Sequence, residues 1–130
     1  MIDVTAAIIR DGDKVLICQR PKGKSCELLW EFPGGKIEPG ETDEHCLIRE
    51  CQEELGIIIK VLSVSSEVTF NYPQRTVHIN FYICEIVDGT LQKKEHNDIR
   101  WVSPDQFYKF DFCPADNQVI SIIESEILNP

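Results

Sequence analysis

The chain has 130 residues, of which 42% are hydrophobic. That is enough to bury one real core without disulfides, so a single domain over residues 1–130 with one site is expected. Its 22 acidic residues against 13 basic ones exclude a broad cationic face for duplex DNA or RNA. The start Met1-Ile2-Asp3-Val4 lacks the basic segment and apolar run of a signal peptide. No stretch approaches the roughly 20 apolar residues that cross a bilayer, so a soluble, cytoplasmic protein without membrane or nucleic-acid partners is expected.

The apolar run Val4–Ile9, the turn signal Asp11-Gly12-Asp13 and the run Val15–Cys18 predict a hairpin. After a polar loop with Pro21 and Gly23, Leu28 to Phe32 reads as a short strand stopped by Pro33-Gly34-Gly35, with a second break at Pro39-Gly40. A helix over Asp43–Leu55 follows, with Thr42 as N-cap, Asp43 and Glu44 in the first turn and Gly56 just beyond its end. Residues 57–70 and 76–87 are β-rich and flank the turn-like Asn71-Tyr72-Pro73-Gln74, which predicts a long antiparallel pair. A polar loop from Lys93 to Asp98 leads to a strand over Ile99–Val102, and Ser103-Pro104 opens a short helical turn. Asp116 is the expected cap of a last helix whose Val119, Ile120, Ile122, Ile123 and Ile127 fall near one face.

Cysteines 18, 26, 46, 51, 84 and 113 form no C-x-x-C pair, which argues against zinc. Four of them lie inside apolar periodic runs, where a reduced thiol serves as a small hydrophobe, and all six are read as structural thiols.

On a helix, with Glu50 as zero, Glu53 falls at about −60° and Glu54 at about +40°, while Leu47, Ile48, Cys51 and Leu55 centre near +115°. Three carboxylates therefore share one face along the edge of the buried stripe. Like charges at this spacing repel, so a cation belongs among them. Oxygen ligands select a hard cation, and Mg²⁺ combines a few carboxylates with waters and phosphate oxygens. Gly34-Gly35 lets backbone approach such a centre. Arg49 stands near enough to grip a carboxylate with its fork and hold it in one rotamer.

The run Gly35-x5-Glu41-x7-Arg49-Glu50-Cys51-x-Glu53-Glu54-x-Gly56-Ile57 resembles the Nudix box at every fixed position. Its one soft departure is Cys51, where the family usually has a larger aliphatic residue. The resemblance extends to Trp30–Glu38, to Gly89–Gln92 and on to Trp101, and to Pro114-Ala115-Asp116, and is nearest the MutT branch, whose members sanitise oxidised nucleotides such as 8-oxo-dGTP or act on CTP-type triphosphates. It implies an α+β fold of the Nudix type, a mixed β-sheet between α-helices with the box as loop–helix–loop. It also implies a cytoplasmic hydrolase of nucleoside triphosphates, monomer or homodimer, that serves nucleotide-pool sanitation and DNA repair. Mg²⁺, or Mn²⁺ in its place, would be held by the Gly35 carbonyl, Glu50, Glu53 and Glu54, with Arg49 and Glu41 bracing Glu50. Glu95 resembles the family's additional acid outside the box, as a further metal ligand or as the base. The alternatives are a Nudix-like module that binds nucleotide without cleaving it, or a hydrolase of other nucleoside diphosphate-linked compounds.

The implied reaction is in-line attack of an activated water on phosphorus, giving a nucleoside monophosphate and pyrophosphate. Glu53, Glu50 and Glu95 all stand as candidates for the general base. Arg20, Lys36 and Arg75 are candidate phosphate contacts. Phe32 is placed either to stack on the base or to pack in the core. Asp116, followed by Asn117, occupies the place where MutT relatives present a base-reading side chain. An ionised Asp there accepts hydrogen bonds and cannot donate them.

Overall fold

The computed structural model describes residues 1–129. Its centre is β1 (Ile2–Asp11), whose apolar residues alternate between two cores: Ala6 and Ile8 face one, Ala7 and Ile9 the other. β2 (Lys14–Gln19) does the same with Val15 and Ile17 against Leu16 and Cys18. A strand covered on both faces reads as a continuous apolar run, which is the pattern that marked this hairpin in the sequence. The turn is closed by Gly12 at φ +64°, a conformation that favours glycine.

A short strand β3 (Trp30–Glu31) follows and pairs antiparallel with β2. The expected strand over Leu28 to Phe32 shrinks to these two residues because Cys26 and Leu28 take positive φ values of 55° and 60° and turn the chain. The Gly34-Gly35 break is also corrected: Gly34–Lys36 forms a strand, β4, antiparallel to β1 at Ala6↔Gly34 and Val4↔Lys36. The pairing needs glycine, since a Cβ on Gly34 would lie 1.9 Å from the Thr5 carbonyl oxygen.

Helix α1 spans Asp43–Leu55 as its caps foretell, with the Thr42 hydroxyl accepting from the His45 amide at 3.2 Å and Gly56 closing it at φ 69°. The long pair is β5 (Ile57–Tyr72) and β6 (Arg75–Gly89), joined at Pro73-Gln74 and interrupted by register shifts. β6 runs parallel to β1 from Ile2↔Val77 to Ile9↔Cys84, so the sheet is mixed, in the order β3-β2-β1-β6-β5. β7 (Asp98–Val102) adds antiparallel to β2. A 3₁₀ turn (Pro104–Lys109), a single helical turn α2 (Pro114–Asn117) and helix α3 (Ile120–Leu128) complete the fold.

α1 covers one face of the sheet through Leu47, Cys51 and Leu55, and α3 covers the other through Ile123 and Ile127 beside the aromatic group Phe32, Phe81, Phe107 and Phe112. This is the helix–sheet–helix layering of the expected α+β class. Ile122, placed near the apolar face of the last helix from sequence, is exposed. Asp116 does not cap that helix: it lies inside α2, and the residue before α3 is Val119. Ser103 occupies the cap position of its turn without a capping hydrogen bond. All six cysteines are free; Cys113 is buried and Cys26 is partly exposed. Among the described residues, no helix is long and apolar enough to cross a membrane.

Candidate active site

The exposure of the three box carboxylates follows their direction around α1. Glu54 points nearest the buried stripe and its side chain is 5% exposed; Glu50 comes next at 17%, and Glu53, farthest from the stripe, is 55% exposed. Helical geometry thus grades three identical side chains from core to solvent within two turns.

Arg49 ties this face to the preceding loop. Its Nε and Nη2 donate to the two oxygens of Glu41 at 2.6 and 3.0 Å, a forked pair. Its Nη1 donates to Glu50 Oε1 at 2.8 Å and reaches Glu53 at 3.3 Å, and Nη2 also donates to the Lys36 carbonyl at 3.2 Å. The fork holds the Glu41 carboxyl down at about 2, well below its ordinary value of 4.5. One guanidinium therefore contacts Glu41, Glu50 and Glu53 at once, a geometry in which it can hold their rotamers.

Glu50 lies directly over Gly35: a Cβ there would sit 2.4 Å from the Glu50 carboxyl carbon. The β4 pairing to β1 sets this closeness, because it lays the glycine backbone against the acidic face of α1. Glu54 is the buried partner. Burial, then the hydrogen bond to Glu50 and the nearby charges of Glu31, Glu50 and Glu95, push its carboxyl from 4.5 up to about 10. Its Oε2 has no hydrogen-bond partner.

A buried acid with an orphaned oxygen, beside a half-buried acid seated on a glycine, fits a cation. The donor set is oxygen-rich and suits a hard divalent ion. Glu50, Glu53 and Glu54 with the Gly35 backbone could hold it, and Glu95 lies exposed in the 93–97 loop close enough for its charge to act on Glu54.

Two residues that the sequence reading passed over join this cluster. His96, in the polar loop next to Glu95, is buried, and its Nε2 lies 3.0 Å from Glu31 Oε2 and 3.5 Å from Glu54 Oε1. Glu31 appeared only as part of a resemblance around Trp30, and here it also accepts from Arg20 at 3.2 Å. Glu31, Glu54 and His96 present ligand-type atoms within 4.8 Å of one another. No local pattern foretells this grouping, since the three come from β3, α1 and a polar loop.

Beside the acids opens a cavity of about 780 Å³, sharing Gly35 with them and lined also by Arg20, Lys36, Arg75, Phe32 and Asp116. These three cations, with Lys24 as a fourth, and the glycine edge suit a polyphosphate, and the volume suits a nucleotide. Phe32 is 3% exposed and stacks on Phe112 at 5.5 Å between centroids, so it packs in the core and offers the cavity a fixed wall. Asn117 is exposed and is not part of the lining.

Asp116 is buried against the cavity, and its Oδ1 accepts from the Phe32 amide at 3.1 Å. Burial first, then the Glu31 charge, raise its carboxyl from 3.8 to about 8. The shift favours the protonated form, in which the carboxyl can donate as well as accept, as an ionised Asp cannot.

Both raised acids carry the same sign of linkage. A carboxyl that holds its proton more tightly when folded supports folding fully below its unfolded value, and loses that support as pH rises toward the folded one. In chelator, the protein is therefore expected to melt at progressively lower temperature as pH increases from 5 to 9. Glu54→Gln and Asp116→Asn should each flatten the curve. A melting temperature that climbs over this range contradicts the burial of both protons.

A family profile described as NUDIX domain matches residues 4–121. Among curated proteins, the CTP pyrophosphohydrolase of Escherichia coli K12 is 39% identical over 116 residues, covering 89% of this chain and 86% of that protein. The 8-oxo-dGTP diphosphatase of the same organism is 33% identical over 121 residues, covering 92% and 94%. Among solved structures, the solution structure of the E. coli ORF135 protein superposes with a TM-score of 0.84 at 35% identity, covering 100% of this chain and 94% of that one. The crystal structure of the MutT protein from Methanosarcina mazei Go1, at 24% identity and TM-score 0.82 over 99% and 96% of the two chains, shares the fold.

Proposed function

The chain belongs to the NUDIX domain family and is a hydrolase of nucleoside triphosphate anhydrides, and from that premise we propose that Glu50, Glu54 and the Gly35 carbonyl hold Mg²⁺ while Glu53, at the edge of that ligand set, accepts the proton of the attacking water. The observation that carries the reading is the shared edge at Gly35: the residue that seats Glu50 also lines the cavity with Lys36, Arg20 and Arg75.

A divalent cation bound there neutralises phosphate charge and acidifies a water. The chain's own groups divide the remaining work by exposure. Glu54 is buried and Glu50 is pinned by a 2.8 Å contact to Arg49, which leaves both poor at carrying a proton away to solvent. Glu53 is more than half exposed and meets Arg49 only at 3.3 and 3.5 Å, so it is free to take a proton and release it. Glu95, fully on the surface, is the reserve candidate. Lys36, Arg20 and Arg75 offset the phosphate charge along the cavity wall, and the phosphoanhydride opens to a nucleoside monophosphate and pyrophosphate.

Asp116 is the proposed base reader. A protonated carboxyl presents one donor beside one acceptor. That pattern complements the N3 and exocyclic amino group of cytosine, and equally the O6 and N7–H of an 8-oxoguanine. These are the base types named in the two curated relatives, and they make the expected substrates a CTP-type triphosphate or an oxidised purine triphosphate. Asn117, turned to solvent, drops from the candidate contacts.

A panel of ordinary and oxidised nucleoside triphosphates with Mg²⁺ or Mn²⁺, scored for pyrophosphate and orthophosphate separately, tests the reading. Pyrophosphate release without orthophosphate supports it; a panel left intact, or orthophosphate as the first product, overturns it. Asp116→Ala should reduce discrimination among bases by about tenfold or more while leaving the metal requirement unchanged, since one lost polar contact to a base costs about 1–3 kcal/mol. An equal loss for every base assigns Asp116 a structural role in holding Phe32.

A further inference from the structure

The buried imidazole of His96 bridges two acids that face different tasks. Glu31 lines the nucleotide cavity and is held on its far side by Arg20, while Glu54 belongs to the carboxylate face of α1. The contacts run in series: Arg20 Nη1 to Glu31 Oε1 at 3.2 Å, Glu31 Oε2 to His96 Nε2 at 3.0 Å, and His96 Nε2 to Glu54 Oε1 at 3.5 Å. The other oxygen of Glu54 and the other ring nitrogen of His96 have no partner.

A Glu side chain has three rotatable bonds, and a carboxylate that must hold a cation gains from a neighbour that fixes its orientation. Arg49 does this for Glu41, Glu50 and Glu53 but not for Glu54, which forms no ion pair with it. Glu54 meets Glu50, which is itself an acid, and the basic group in reach of its Oε1 is His96 at 3.5 Å. We propose that His96 is a positioning residue that anchors Glu54 through Oε1, so that Oε2 stays presented for the divalent cation, and that it ties this anchor to the cavity wall through Glu31.

The loop carrying His96 is held independently of its side chain. The Lys94 amide donates to the Glu54 carbonyl at 3.3 Å and the Asn97 amide to the Gln19 carbonyl at 2.9 Å, with the Asn97 side chain donating to Gln19 Oε1 as well. Residue 96 is therefore pinned by backbone on both sides, and a replaced side chain leaves the loop in place. The inference rests on Glu54 being a metal carboxylate, as in the proposed function.

The test is Mn²⁺ affinity without nucleotide, read from the EPR signal of the free ion, on wild type, His96→Leu, His96→Gln, Glu31→Ala and the His96→Leu/Glu31→Ala double variant. His96→Leu keeps the volume and loses the donor, and should weaken Mn²⁺ binding about 10- to 100-fold. His96→Gln, whose amide nitrogen can stand near the Nε2 position, should restore most of it. Glu31 acts on Glu54 by its charge as well as through the ring, so removing Glu31 should weaken Mn²⁺ binding less in the His96→Leu background than in wild type. Wild-type affinity in His96→Leu overturns the proposal, as does equal weakening in the Gln and Leu variants or additive losses in the double variant. A wild type that binds no Mn²⁺ overturns the metal assignment of Glu54 itself, so the two failures are separable. Should His96→Leu prove unstable, the comparison of Gln with Glu31→Ala, at matched melting temperature, decides the same question.

Discussion

Glu53→Gln is expected to lower kcat by about 10²- to 10⁴-fold, the usual worth of a positioned proton acceptor, with the melting temperature unchanged. The substitution is isosteric, and the side chain it replaces is 55% exposed and outside both cores. Its protein contacts are the long ones to Arg49, which keeps its shorter bonds to Glu41 and Glu50. Initial rates of pyrophosphate release beside a thermal melt make the comparison. A variant with wild-type kcat removes Glu53 from the chemistry and moves the proton to Glu95 or Glu50; a large fall in melting temperature would mean that the acid has a structural role its exposure denies.

Gly35→Ala should cost at least about 10²-fold in kcat/KM, because displacing a catalytic carboxylate by as little as 1 Å has that effect. The added methyl would stand 2.4 Å from the Glu50 carboxyl carbon, so the carboxylate must leave its seat. What yields is a side chain, and the fold should survive. Gly34→Ala separates the two requirements. There the methyl meets the Thr5 carbonyl oxygen at 1.9 Å and the Ala6 Cα at 2.8 Å, both backbone of the central strand. That variant is expected to lose about 1–3 kcal/mol of stability as β4 is forced off β1. Neighbouring glycines should thus fail differently, one in activity and one in stability, measured by steady-state kinetics and urea denaturation. Equal stability losses in both would mean that the Gly35 requirement is one of folding.

How far this architecture could be read from sequence depends on whether the deciding contact is local. Helix α1 was legible to the residue because Thr42 and Gly56 cap it by chemistry contained within a few positions. The same helical periodicity put Glu50, Glu53 and Glu54 on one face at the edge of the buried stripe. The β1–β2 hairpin and the β5–β6 pair were legible from alternation and turn residues, and the Nudix box from its spacing.

What escaped the sequence was fixed at long range. Gly34–Lys36 has none of the branched or aromatic residues that mark strands, and becomes one because β1 lies alongside with room only for glycine. The parallel register of β1 with β6 has no turn to announce it. Asp116 carried a capping residue's signature, yet its carboxylate is satisfied by the Phe32 amide 84 positions away. The upward shift of its carboxyl follows from burial beside Glu31, which no neighbour in sequence reveals. His96 sits in a charged loop whose composition reads as surface, and is drawn inside by two acids on other elements.

In the proposed function, carboxylates from successive turns of α1 and a glycine carbonyl gather around a divalent cation against a polyphosphate. The most direct test is paramagnetic broadening of backbone amide signals by Mn²⁺, in the presence of a non-hydrolysable nucleoside triphosphate analogue. Signals of Gly35, Glu50, Glu53 and Glu54 should vanish first, at substoichiometric ion, while those of α3 on the opposite face of the sheet persist. Broadening that begins elsewhere, or spreads evenly over the acidic surface, would contradict the arrangement.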